Sequence, residues 1–108
     1  MTRLKSGMLV SAALRHASNA MIDCVLVRRG DADAGAIFVH IDRLDGQHQL
    51  LGRVLDFDGQ YRWQALTNPQ WTDADTIAKR LDAELQADPD IFVLAVADAN
   101  ARNPFDGL

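Results

Sequence analysis

The tract Ile22–Arg43, I-D-C-V-L-V-R-R-G-D-A-D-A-G-A-I-F-V-H-I-D-R, limits the fold more than any other part of the chain. Two runs rich in Val, Ile, Leu and Phe, Cys24–Arg29 and Ala36–Asp42, flank the polar stretch Gly30–Gly35. β-Branched and aromatic side chains suit a pleated, buried surface. Gly reaches positive φ freely and Asp can hydrogen-bond its own backbone, so Gly30–Gly35 reads as a turn and the tract as a β-hairpin. Ile22, Cys24 and Leu26 alternate with Val25 and Val27, and Ala36 and Phe38 alternate with Ile37, Val39 and Ile41. Both faces of each strand are therefore apolar, the pattern of strands covered on two sides. Helices supply one cover, and a partner subunit is a candidate for the other.

The flanking segments extend this into one sheet. Before the tract, residues 4–20 place Val10, Ala13, Leu14, Ala17 and Met21 on one helical face, with Ser6 as the expected N-cap. After it, Asp45-Gly46 and Asp58-Gly59 are strong turn dipeptides. They separate a third strand over 48–57 from a fourth at Tyr61–Leu66, and Gly52 marks a bulge or bend in the third. A second helix starts near Thr72, carries the stripe Ala74, Ile77, Ala78, Leu81 and Leu85, and ends before Pro89. Its i,i+4 pairs are Asp75–Lys79 and Arg80–Glu84. The unbroken apolar run Ile91–Ala97 reads as a central strand, buried on both faces. The expected fold is α+β, in the order α-β-β-β-β-α-β: a mainly antiparallel five-stranded sheet with two helices packed on one face. It forms one domain over residues 1–108, with an ordered core at 3–98 and a loose tail at 99–108.

Composition narrows the function classes. A chain of 108 residues can bury one core without disulfides. The net charge of −4, with 11 scattered basic residues, argues against broad electrostatic binding of nucleic acid. Cys24, the single cysteine, reads as a small core hydrophobe. Ser11, Arg15 and His16 interrupt the early apolar stretch, so it does not read as a signal peptide, and no run is long enough to span a bilayer. The expected location is cytoplasmic.

The densest polar cluster is Arg28, Arg29, Asp31 and Asp33 around Gly30 and Gly35. Backbone N–H groups in such a turn can form an anion-binding concavity, and arginine forks onto a carboxylate or phosphate. The competing reading is a tight turn whose acids accept backbone N–H groups. Arg62 and Trp63 add a cation beside a ring that could stack on a ligand, although a strand tryptophan commonly serves the core. His40, Asp42 and His48 fit no zinc spacing, and nothing selects Asp56, Asp58 and Glu84 for Mg²⁺, so no metal or cofactor is expected. Neither a phosphate loop nor a G-x-S-x-G elbow is present.

Four segments together carry a family likeness: R-L-K-S-G at Arg3–Gly7, R-R-G-D-A-D-A-G at Arg28–Gly35, Arg62-Trp63, and D-P-D-I-F at Asp88–Phe92. The chain resembles, over residues 3–98, a family of small alphaproteobacterial proteins known as domain of unknown function fourteen ninety-one. The resemblance implies a bacterial cytoplasmic protein and brings no activity, substrate or cofactor.

Two functional readings follow. The first is a non-enzymatic binding or protein-interaction module, homodimeric through its sheet or partnered by another protein. The alternative is a small enzyme or nucleic-acid-acting protein with a polar site around the Arg28–Gly35 turn. The candidate anion- or partner-binding residues are Arg28, Arg29, Asp31, Asp33, Arg62 and Trp63.

Overall fold

The computed structural model describes residues 4–108. The elements are α1 (Ser6–Asn19), β1 (Asp23–Arg28), β2 (Ile37–Asp42), β3 (His48–Leu55), β4 (Tyr61–Ala65), α2 (Ala74–Ala87) and β5 (Phe92–Ala97). The order α-β-β-β-β-α-β is the one the sequence predicts. The sheet has five strands in the order β1-β5-β2-β3-β4. Three of its pairings are antiparallel; β2 and β5 run parallel, from Ile37 beside Phe92 to Asp42 beside Ala97.

Cys24–Arg29 and Ala36–Asp42 are not a hairpin, because β5 lies between β1 and β2. The reason is burial. An unbroken apolar strand is stable only with both faces covered, and the middle of the sheet provides that. Phe92, Leu94 and Val96 enter one apolar layer, while Val93 is buried on the reverse. Skipping one strand requires the connection to cross about 10 Å. Residues 29–36 cover that easily, at roughly 3.3 Å per extended residue. The other two turns are hairpins as expected, with Gly46 at φ +85° and Gly59 at φ +78°. Gly52 makes no bulge: it pairs regularly with Phe38 and Gln64. A Cβ there would meet the Leu66 side chain at 3.0 Å, so its role is to leave room.

Helix α1 buries Val10, Ala13 and Ala17 against Ile37, Val39, Ile41, Leu51 and Leu94. Met21 leaves the stripe, since the chain turns there through φ +57°, and Ile22 is buried instead. Helix α2 packs on β3. Its one fully buried residue is Ile77. Leu50 of β3 is also fully buried yet lies outside the α1 layer, and it alternates with Leu51 along the strand. Successive strand residues point to opposite faces. The two helices therefore cover opposite faces, where the sequence reading has both on one. That reading rested on counting stripes, which carry no information about side. Asp73 caps α2, its carboxylate accepting the Thr76 N–H at 2.8 Å. Both predicted pairs on α2 form, Asp75–Lys79 at 3.0 Å and Arg80–Glu84 at 2.9 Å.

The segment after β5 is packed rather than loose. Asp98 is buried and its carboxylate accepts Arg102 Nε and Nη2, each at 2.9 Å. Those hydrogen bonds hold the Asp98 carboxyl below its ordinary range. Asn103 is buried, and Phe105 is only 5% exposed within the α1 layer, 4.7 Å from the Trp63 ring. Phe105→Ala is expected to destabilise the protein by about 3 kcal/mol or more. Urea denaturation of the two chains checks this; a negligible change would show residues 99–105 to be dispensable.

Candidate functional site

The Arg28–Gly35 segment bends around the start of β5, and the glycines are what permit it. A Cβ on Gly30 would lie 2.4 Å from the Asp90 carbonyl oxygen, and one on Gly35 would lie 2.6 Å from it. The Asp31 N–H donates to that same oxygen at 3.0 Å, and the Gly35 N–H closes the turn on the Asp31 carbonyl at 2.9 Å. Arg28 Nη2 donates to the Pro89 carbonyl at 2.7 Å, and the Phe92 N–H donates to the Ala36 carbonyl at 2.8 Å. The segment also caps α1. The Gly7 N–H donates to the Ala32 carbonyl at 2.8 Å and the Ser6 N–H to the Asp33 carbonyl at 3.4 Å. Loop carbonyls thus satisfy helix donors that the sequence assigns to a Ser6 cap; Ser6 itself lies inside the helix and the N-cap, Lys5, makes no side-chain cap.

Three of the four segments that carry the family likeness, of which Arg3 lies outside the described residues, therefore meet at one corner. Two cavities open beside it. The first, of about 580 Å³, lies between α1 and the loop and is lined by Lys5, Met8, Ser11, Arg15, Arg29 and Asp33, among others. The second, of about 730 Å³, lies on the sheet beyond α1. Arg53, Tyr61, Trp63 and Phe105 form its core, with Leu9 and residues 106–108 around it. Leu4, Lys5 and Asp33 line both, and Lys5 pairs with Asp33 at 3.3 Å.

The six predicted residues divide. Arg28 and Asp31 are used by the loop, Asp31 also accepting the Asp33 N–H at 3.4 Å. Arg62 is elsewhere, paired with Asp56 at 2.8 Å at the β3–β4 turn. Asp56 also accepts N–H groups from Gln60 and Asp58, and these bonds, led by that from Gln60, hold its carboxyl below the usual range. Arg29 and Asp33 reach the first cavity, and Asp33 and Trp63 the second. The sequence reading misses Lys5, Ser11, Arg15, Arg53 and Phe105. Signals exist for three of them: Lys5 lies within R-L-K-S-G, and Ser11 and Arg15 stand at i,i+4 on the polar side of α1.

Charge balance singles out the first cavity. Arg43, Arg62, Arg80 and Arg102 each pair with an acid. Among the described residues, the side chains of Arg15 and Arg29 have no such partner and no hydrogen bond. Three cations therefore face one acid there, in a chain of net charge −4.

Other candidates are occupied. Trp71 packs on the core with the Arg43 guanidinium 4.4 Å from its ring centre. Burial pushes the Cys24 thiol up to about 11, with Asp23 adding to the effect, so it is a weak nucleophile. His40 Nε2 and His48 Nδ1 are 2.9 Å apart, sharing one proton. No group of three metal-binding side chains occurs among the described residues.

The fold and corner define a class: a small α+β protein with a mixed five-stranded sheet and a cationic cavity between its first helix and the β1–β2 connection. The chain belongs to the DUF1491 family, described as a protein of unknown function, which matches residues 4–106. It is similar to the crystal structure of a DUF1491 family protein from Caulobacter crescentus, at 27% identity, 94% coverage of each chain and a TM-score of 0.85. It is also similar to an NMR structure of a DUF1491 family protein from that organism, at 29% identity, a TM-score of 0.78 and coverage of 96% of this chain and 94% of that one. The solution structure of protein Atu0922 from A. tumefaciens matches at 28% identity and a TM-score of 0.75, over 89% of this chain and 86% of that one. No curated protein matches. No helix among the described residues is long and apolar enough to cross a membrane.

The histidine pair gives a pH test. Burial first, and His48 second, lower the His40 pKa below its ordinary 6.5, against the opposing pull of Asp42. A base whose folded pKa is depressed contributes stability that is present above 6.5 and is lost as pH falls through the folded value. Denaturation midpoints are expected to drop on acidification below 6.5, and His40→Gln to flatten that dependence. An unchanged slope in the variant would contradict the assignment.

Proposed function

We propose that this protein is a bacterial cytoplasmic binding module, without catalysis of its own, that takes an anionic ligand between α1 and the β1–β2 loop. One observation carries the reading: Arg15 and Arg29 stand without acidic partners around a concave surface that Lys5 also lines. Guanidinium groups match phosphate and carboxylate oxygens through paired N–H donors. The glycine turn is then the scaffold that fixes Arg29, and Asp33 moderates Lys5. Calorimetric titration of the whole chain with inorganic phosphate at low salt is expected to show saturable binding that weakens as ionic strength rises. Arg15→Gln together with Arg29→Gln should weaken it tenfold or more. Absence of saturable heat, or the same affinity in the variant, would remove the reading.

A second reading concerns the partner. β1 is an edge strand, with Val25 and Val27 55% and 63% exposed. An unpaired strand edge bearing apolar side chains is a template for another strand. Antiparallel pairing of two β1 strands brings the Asp23 end of one copy to the Arg28 end of the other, which joins opposite charges. Light scattering is expected to give a dimer mass that Val25→Lys reduces to a monomer's. A monomer at all concentrations would rule out this interface.

A further inference from the structure

We propose that the anion held by Arg15 and Arg29 is one end of a small molecule whose other end is a planar ring, seated in the adjoining cleft against Tyr61 and Trp63. The proposal rests on the anion reading above and names its ligand class: an aryl or heteroaryl ring joined to a phosphate, directly or through a linker such as a sugar. Three features support it. The cavities adjoin, since Leu4, Lys5 and Asp33 line both. The Lys5–Asp33 pair borders both, and its side chains are 66% and 73% exposed. Exposed pairs contribute little, so a ligand phosphate can take the place of Asp33 on Lys5 at small cost.

The cleft itself offers flat surfaces at fixed positions. Odd-numbered residues of β3 and β4, Arg53, Tyr61 and Trp63, form its floor. Phe105 packs on the Trp63 ring at 4.7 Å and 35°, which fixes the indole before any ligand arrives. The Arg53 guanidinium lies 4.2 Å from the Tyr61 ring centre. A guanidinium stacked on a ring presents a second planar, cationic surface, to which electron-rich rings are drawn. Volumes of about 730 and 580 Å³ are those of small-molecule sites.

The test compares inorganic phosphate, phenyl phosphate and adenosine monophosphate by calorimetry on the whole chain. Fluorescence is read in Trp71→Phe, which leaves Trp63 as the sole indole. At least one ring phosphate is expected to bind tenfold or more tighter than inorganic phosphate and to change Trp63 emission. Preference for phenyl phosphate indicates direct attachment, and preference for adenosine monophosphate a sugar-length linker. Trp63→Leu is expected to bring the ring phosphates down to the affinity of inorganic phosphate and leave the latter unchanged. Tyr61→Leu, at the exposed side of the cleft, makes the same test without disturbing the Phe105 contact. Ring phosphates no tighter than inorganic phosphate, or cleft substitutions that weaken both equally, would overturn the ring assignment and leave the anion reading standing. Failure of inorganic phosphate and both ring phosphates to bind would overturn both.

Discussion

The carbonyl oxygen of Asp90 is where this structure is pinned. The chain must pass from β1 to β2 over the start of β5, and it does so by wrapping that oxygen, which accepts the Asp31 N–H while two glycines close around it. Were either glycine to carry a side chain, the loop would have to lift, and β5 could not sit between its neighbours at the same register. Lifting the loop would also remove the carbonyls of Ala32 and Asp33 from the first turn of α1. Sheet order and helix placement thus hang on one close backbone approach. Backbone groups buried in such a place must find partners, and the N–H groups of Asp31 and Gly35 find theirs within the corner.

This changes the meaning of the most family-like segment. R-R-G-D-A-D-A-G has the composition of an anion-binding turn, but several of its donors are spent on the protein: the Asp31 N–H on Asp90, the Gly35 N–H on Asp31, and the Arg28 guanidinium on Pro89. What the segment offers outward is the Arg29 side chain. The candidate site is built by bringing α1, the loop and the β3–β4 hairpin to one edge, so its residues come from distant positions. On the proposed reading, scaffold and recognition are divided within a single motif, as is common where a loop is held by rigid elements.

How much could be read beforehand follows from the range of each signal. The helix stripes, the two Asp-Gly hairpins and the i,i+4 pairs depend on neighbours in sequence, and all were legible. Ile91–Ala97 announced a central strand through its unbroken hydrophobicity. Where that strand inserts was not legible, because a loop that steps over one strand and a loop that closes a hairpin share the same Gly and Asp content. The packed tail was missed because Asn103-Pro104 looks like a terminus unravelling, whereas Phe105 is held by Trp63, 42 positions earlier, through a contact no local pattern records. Of the residues named from the sequence, Arg29, Asp33 and Trp63 line the candidate cavities, whereas Arg28, Asp31 and Arg62 have partners that composition does not reveal. Lys5 and Arg15 at α1 and Arg53 on β3 are far apart in sequence, so no local pattern joins them.

β5, the strand that parts β1 from β2, is also the last to be made. During synthesis β1 and β2 emerge with open edges and antiparallel directions, so nothing in their orientation prevents them from zipping together before Phe92–Ala97 leaves the ribosome. The native sheet must then be completed by wedging its final segment into a gap, a late, long-range step of the kind that slows folding and leaves sticky intermediates. The loop from Arg29 to Ala36, too long for the hairpin it resembles, keeps that gap available.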